Sequence, residues 1–211
     1  MWQPMKTVAI ESQKGGTGKT TTALNLAVAA ERAGQTAVVI DLDPQASAAG
    51  WKDTRAAETP IVVSVPSARL QQALQAAQEG GADLALIDTA PHAESAALAA
   101  AKAADIILIP CRPGILDLRA IGTTADLVKI AGKPAFVVLN AVPPGATRLL
   151  QDARAAVAVH GLEVAPIAIE QRAAFGHALT AGRTAQEYEP EGKAAEEIAQ
   201  LYDWLRTQLR Q

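Results

Sequence analysis

Five short, uninterrupted apolar runs constrain this chain more than any other feature. They cover residues 8–10, 37–40, 84–87, 106–109 and 135–139, each bounded by a polar residue or a chain breaker. Apolar residues at consecutive positions, without alternation, mark strands buried on both faces, the habit of parallel sheets. A sixth run, residues 164–169, is interrupted by Pro166, which lacks a ladder N–H and predicts an edge strand. Between the runs, alanine-rich stretches predict helices over residues 19–32, 68–78, 94–103, 118–131, 147–160 and 192–208. Gly34 and Gly161 stand just past the first and fifth helices, where C-terminal caps are expected. Strands alternating with helices give a doubly wound α/β fold, a mostly parallel sheet with helices on both faces. The loose stretch 53–66 is too short to separate domains, so residues 1–211 are expected to form a single domain.

Composition removes several classes of function. The 211 residues are 49% hydrophobic and 19% charged, a balance that suits a globular core and not a disordered polyelectrolyte. A chain of this length buries roughly 70% of its unfolded surface and needs no covalent staples. The single cysteine, Cys111, rules out an internal disulfide framework and a cysteine metal site within one chain. No apolar run reaches the roughly 18 residues of a membrane span. The first residues lack a charged-then-apolar signal pattern, so a reducing cytoplasm is the expected compartment. The net charge of −3 predicts no strong attraction to nucleic acid by itself. Aromatic residues, 3% of the chain, are too few for base-stacking platforms.

The first apolar run leads directly into Gln13-Lys14-Gly15-Gly16-Thr17-Gly18-Lys19-Thr20-Thr21, and a helix follows. Glycines let a loop curl tightly enough to aim several backbone N–H groups at one anion. The following helix adds the positive end of its dipole at the same point. Lys19 can then reach the β- and γ-phosphates of a nucleotide, and the Thr20 hydroxyl can hold Mg²⁺. The strict G-x-x-x-x-G-K-[ST] pattern wants glycine where Gln13 stands, so the general motif fails by one residue. A dinucleotide fingerprint starting at Gly16 would end on Thr21 and leave Lys19-Thr20 unexplained.

The departure carries information because a lysine follows it. Lys14 to Thr20 matches the deviant Walker A signature K-G-G-x-G-K-T, and from here the chain resembles the ParA/MinD family of ATPases. Ile40-Asp41-Leu42-Asp43-Pro44-Gln45 is similar to that family's switch I, and Ile87-Asp88-Thr89-Ala90-Pro91 to its Walker B and switch II. Gln171-Arg172, Ala181-Gly182-Arg183-Thr184, Tyr188-Glu189-Pro190 and Gly192-Lys193-Ala194-Ala195 resemble the ParA ending rather than that of MinD. The resemblance covers nearly the whole chain. It implies a P-loop NTPase fold, ATP and Mg²⁺ as ligands, and slow hydrolysis stimulated by a ParB-like or cargo-adaptor protein and by DNA. It further implies a homodimer formed around two ATP molecules, nonspecific DNA binding, and nucleoid association in the ATP state. The phosphate loop begins almost at once, which fits the small ParA type without an N-terminal helix-turn-helix and argues against operator-specific repression.

Asp41, Asp43 and Asp88 stand at or just past the C-terminal ends of apolar runs, the sheet edge where ligands bind in parallel α/β folds. Taken singly, each is equally a helix cap or a turn former. A bare carboxylate would repel a phosphate, so together they fit a bound Mg²⁺ or an acid that orients the attacking water. The resemblance gives Asp43 the water, Asp41 a supporting place around the magnesium and the loop, and Asp88 the metal through water. It gives Lys14 a reach across the dimer to the partner's ATP, the electrostatic task of an arginine finger. Asn140 ends the fifth run; its amide offers a donor and an acceptor suited to a purine edge, or forms a turn. Pro166 is a second candidate to flank the base. Arg172, Arg183 and Lys193 align with basic positions that contact DNA in ParA-like proteins. Five glutamates, at positions 187, 189, 191, 196 and 197, surround Lys193 and offer a plain solvated surface instead.

The remaining polar and aromatic residues point to packing. Cys111 reads as a small packed residue, and His92, His160 and His177 lack ligand spacing. Leu201, Trp204, Leu205 and Leu209 fit the inner face of the last helix. A MinD-like membrane-surface ATPase is the alternative reading, but its tail would want a more basic polar face than Glu196, Glu197 and Asp203 against Arg206 and Arg210. An iron–sulfur relative of nitrogenase iron protein would need more cysteines than one per chain.

Overall fold

A computed structural model describes residues 4–210. Among these residues, seven parallel strands form one sheet in the order β3-β2-β4-β1-β5-β6-β7. The strands are β1 Lys6–Ile10, β2 Ala37–Asp41, β3 Ile61–Ser64, β4 Leu84–Asp88, β5 Ile106–Cys111, β6 Ala135–Leu139 and β7 Glu163–Val164. All five apolar runs became strands, and β2, β4 and β5 are buried at every position. On β1, Val8 and Ile10 face one helical layer while Ala9 faces the other, so each strand feeds two cores.

One layer contains α1 Lys19–Arg32, α2 Ser47–Thr54 and α9 Lys193–Gln208, with Leu24, Trp51, Ile198, Leu201 and Leu205 packed on the sheet. The other contains α3 Leu70–Glu79, α4 Glu94–Ala103, α5 Ile115–Ala131 and α6 Thr147–Ala158. Two short helices, α7 Ala173–Thr180 and α8 Ala185–Tyr188, bridge β7 to α9. Trp204 of α9 meets Phe136 of β6 edge-on at 5.0 Å, and Leu201 and Leu205 are fully buried, as the helix periodicity predicts.

The structure corrects the sequence reading in three places. The stretch 53–66 holds an edge strand, β3, paired with β2 from Val38↔Ile61 to Asp41↔Ser64. Its four residues, Ile-Val-Val-Ser, lie between Pro60 and Pro66, so the prolines masked a short β-branched strand. The sixth run shrank to two residues, because Pro166 breaks the ladder that Ala165 still makes with Val137. Helices α2, α7 and α8 lie outside the predicted helices, because they are too short for a clear apolar period.

Candidate functional site

The strand order reverses at β1, and the carboxyl ends of β1, β2 and β4 open there into a cleft. Among the described residues, three non-glycine residues adopt left-handed backbone: Ala46, His92 and Ala141, at φ 50, 58 and 51. They follow β2, β4 and β6 respectively, all at this same edge, where strained backbone typically serves a site.

The phosphate loop, residues 13–18, crosses this edge and ends at Gly18, φ +95, the N-cap of α1. No side chain caps α1, so the first N–H groups of the helix remain directed at the cleft. A Cβ on Gly18 would collide with Asn140 Nδ2, which donates to the Thr17 carbonyl at 2.7 Å. Glycine is therefore required here twice, by its φ and by the approach of Asn140. Asn140 thus clamps the loop through one of the two N–H groups of its amide.

Lys19, 7% exposed, donates from Nζ to the carbonyls of Ser12 and Lys14 at 3.1 and 3.3 Å. Burial pulls its pKa below the ordinary lysine value, while Asp88, Asp43 and Glu11 nearby push it back up. The Thr20 hydroxyl donates to Asp88 Oδ2 at 2.6 Å. Asp88 is wholly buried, its other oxygen has no partner, and burial raises its pKa to about 7. A hydroxyl beside a carboxylate with one unsatisfied oxygen suits a hard divalent cation such as Mg²⁺. Thr20 and Asp88 are the residues that would hold it.

Asp41 and Asp88 are register partners on β2 and β4. Both Asp41 oxygens accept backbone N–H groups, from Asp43 at 2.9 Å and Ala48 at 3.0 Å. Asp41 therefore shapes the segment after β2 and anchors the start of α2, which the sequence reading did not foresee in its metal-supporting role. Asp43 is half-buried and lines a cleft of about 600 Å³ with Gly15, Lys19, Thr20, Trp51 and Pro91. A second recess of about 280 Å³, on the far side of Gly18, is lined by Thr21, Arg112, Asn140, Gln171 and Phe175. Pro166 lines neither. It is exposed, its carbonyl accepts from Arg154, and the chain runs on to residues 169–172 before it reaches the recess. An apolar groove of about 430 Å³ between β3 and α3 shares no residue with these sites.

Glu11 escaped the sequence reading. It directly follows β1, is 2% exposed, and accepts from the Thr89 hydroxyl at 3.2 Å, while its Oε1 has no partner. Burial pushes its pKa up to about 8. The available signal was an acid between an apolar strand and a phosphate loop. The three candidate DNA-contacting cations differ. Arg172 is matched by Glu197 at 2.6 Å and Glu170 at 2.7 Å, so its charge is largely spent at home. Arg183 and Lys193 are exposed, and neither forms an ion pair among the described residues.

This geometry has known counterparts. The family profile of the CobQ/CobB/MinD/ParA nucleotide binding domain matches residues 8–185. The Gloeobacter kilaueensis maintenance of carboxysome distribution protein A is 39% identical over 142 residues, 66% of this chain and 64% of that protein's length. The Halothiobacillus neapolitanus protein of the same name is 30% identical over 92% of this chain and 94% of its own. The Thermus thermophilus chromosome-partitioning ATPase Soj is 26% identical over 98% of both chains. Among solved structures, apo McdA from Cyanothece superposes with a TM-score of 0.77 at 17% identity, covering 95% of this chain and 99% of its own. The Mg-ADP complex of Pyrococcus horikoshii MinD gives 0.74 at 21% identity, covering 95% and 96%. With that profile matching residues 8–185, the chain belongs to the CobQ/CobB/MinD/ParA nucleotide-binding family.

Proposed function

We propose that the chain is a ParA-like ATPase that dimerises around two ATP molecules, binds DNA without sequence preference and positions a cargo with a partner protein. The observation that carries this reading is the placement of Lys19, directly after the phosphate loop that bears Lys14, beside the Thr20–Asp88 pair and Asp43. In this mechanism the loop N–H groups and the α1 terminus hold the phosphates, and Lys19 neutralises the β- and γ-oxygens. Thr20 and Asp88 would hold Mg²⁺, which when bound would supply charge shielding for the phosphates. Asp43, anchored through its own N–H to Asp41, accepts a hydrogen bond from the attacking water and aligns it with the γ-phosphorus. Lys14 of the second copy meets the charge that grows there.

The relatives named for carboxysome distribution and chromosome partitioning support an assembly or a DNA molecule as the class of cargo. A membrane-surface role is less well supported, because the apolar face of α9 is buried in the sheet core. The test is Asp43→Ala. It is expected to bind ATP with near-native affinity, turn over at least about tenfold more slowly, and accumulate as an ATP-bound dimer in sedimentation runs. Native-rate hydrolysis by this variant would assign the water to another group and overturn the mechanism.

A further inference from the structure

Lys14 does not project freely from the phosphate loop. Its ammonium lies 3.0 Å from Asp117 Oδ1 of the same chain. Asp117 stands in the first turn of α5, with its side chain 13% exposed against 38% for Lys14. The helix turn around it is ordered by the Gly114 carbonyl, which accepts from the N–H groups of Asp117 and Leu118 at 3.0 Å. The carboxylate is thus fixed by an element, while the lysine hangs on a loop. A fixed anion holding a flexible cation defines where the cation rests.

We propose that Asp117 is a positioning residue that keeps Lys14 on its own chain until a second copy presents a nucleotide triphosphate. The inference rests on the cross-subunit role of Lys14 proposed above. The physical basis is competition for one cation. A single carboxylate opposes the several negative charges of a terminal phosphate, so the lysine transfers when that group is present and returns when it has left. Asp117 therefore raises the protein concentration at which the ATP dimer forms and sharpens the difference between ATP and ADP.

An ion pair of this exposure shifts an equilibrium about two- to fivefold. A dimer opens two of them, so Asp117→Asn is expected to lower the dimer dissociation constant about four- to twenty-five-fold. The measurement is sedimentation equilibrium of the full chain with Mg²⁺ and a non-hydrolysable ATP analogue, repeated with ADP. Asp117→Glu should restore native behaviour, which a merely structural role at this turn would not require. In a Lys14→Gln background the Asp117→Asn change should have no further effect. Should Asp117→Asn fail to fold, Asp117→Ser, whose hydroxyl still suits a first helical turn, gives the same readout. An unchanged or weakened dimer in a folded Asp117 variant overturns the proposal. Lys14→Gln separates the two claims. If it dimerises like the native chain, the cross-subunit role fails and the latch falls with it. If it does not dimerise while Asp117→Asn behaves as native, the latch alone is wrong.

Discussion

Two buried side chains on either side of the phosphate loop carry opposite demands. Lys19 must remain charged to hold phosphate, and burial works against this; the surrounding carboxylates Asp88, Asp43 and Glu11 oppose the loss. Lys19→Ala removes the cation facing the β- and γ-phosphates and should abolish ATP binding; near-native affinity by isothermal titration would refute the phosphate-loop assignment. Glu11 is the converse case. Its folded pKa is raised from 4.5 to about 8, so between those values the folded chain holds a proton that the unfolded chain releases. Stability attributable to Glu11 is therefore intact at low pH and declines as pH rises through that window. Glu11→Gln keeps the polar contact with Thr89 without the ionisation. Compared with the native chain, it should gain about 1–3 kcal/mol in urea unfolding between roughly pH 5 and pH 9. A stability difference independent of pH would contradict this.

At the scale of elements, the segment bearing Asp43 is held from behind. Helix α2 is clipped to the segment around α8 by Arg55, which donates to Glu187 through two nitrogens at 2.9 and 2.7 Å and to the Gly182 carbonyl at 3.1 Å. Trp51 adds a bond from Nε1 to the Arg183 carbonyl at 3.1 Å, and the Arg55 guanidinium stacks 4.7 Å above its ring. Glu187 also accepts from the Thr184 N–H and hydroxyl, closing the capping box of α8. Removing Arg55 leaves that carboxylate half-buried without its countercharge. Arg55→Ala should cost about 2–4 kcal/mol in denaturant unfolding. Arg55→Lys should recover only part of the loss, because an ammonium cannot reproduce the paired geometry. Full rescue by lysine would mean that charge alone, without the fork, holds α2 in place.

For the whole molecule, the acidic balance leaves few cations to meet DNA. With Arg172 engaged by Glu170 and Glu197, Arg183 and Lys193 remain, giving two per chain and four in a dimer. At about −0.9 per phosphate contact, the log–log salt slope of DNA binding should be near −3.6 in the ATP state. That corresponds to about a hundredfold loss of affinity between roughly 50 and 200 mM salt. Lys193→Glu should weaken binding without affecting ATP-driven dimerisation, since Lys193 opens α9 and lines neither recess beside the phosphate loop. Anisotropy titrations with ATP and with ADP check both. Equal affinity in the two nucleotide states, or none lost in the variant, would remove DNA from the functional reading.

The local chain determined the phosphate loop and the two-sided strands. Lys14 to Thr20 is contiguous, and the apolar runs 37–40, 84–87 and 106–109 need both faces covered wherever they lie. Such features depend on neighbours in sequence and survive any arrangement of the rest. The tertiary structure alone decided what lies opposite them. Asn140 became a clamp because β6 ends beside the phosphate loop, where its amide reaches the Thr17 carbonyl across 123 positions. Asp41 gained a second task, organising the Asp43 segment, because the chain doubles back onto it at Ala48. Glu11 acquired its raised pKa only through burial beside Thr89 and Lys19, which tertiary packing brings to it. Burial and long-range pairing set charge states and partners, and neither is written in the order of residues, whereas strand character and loop chemistry are.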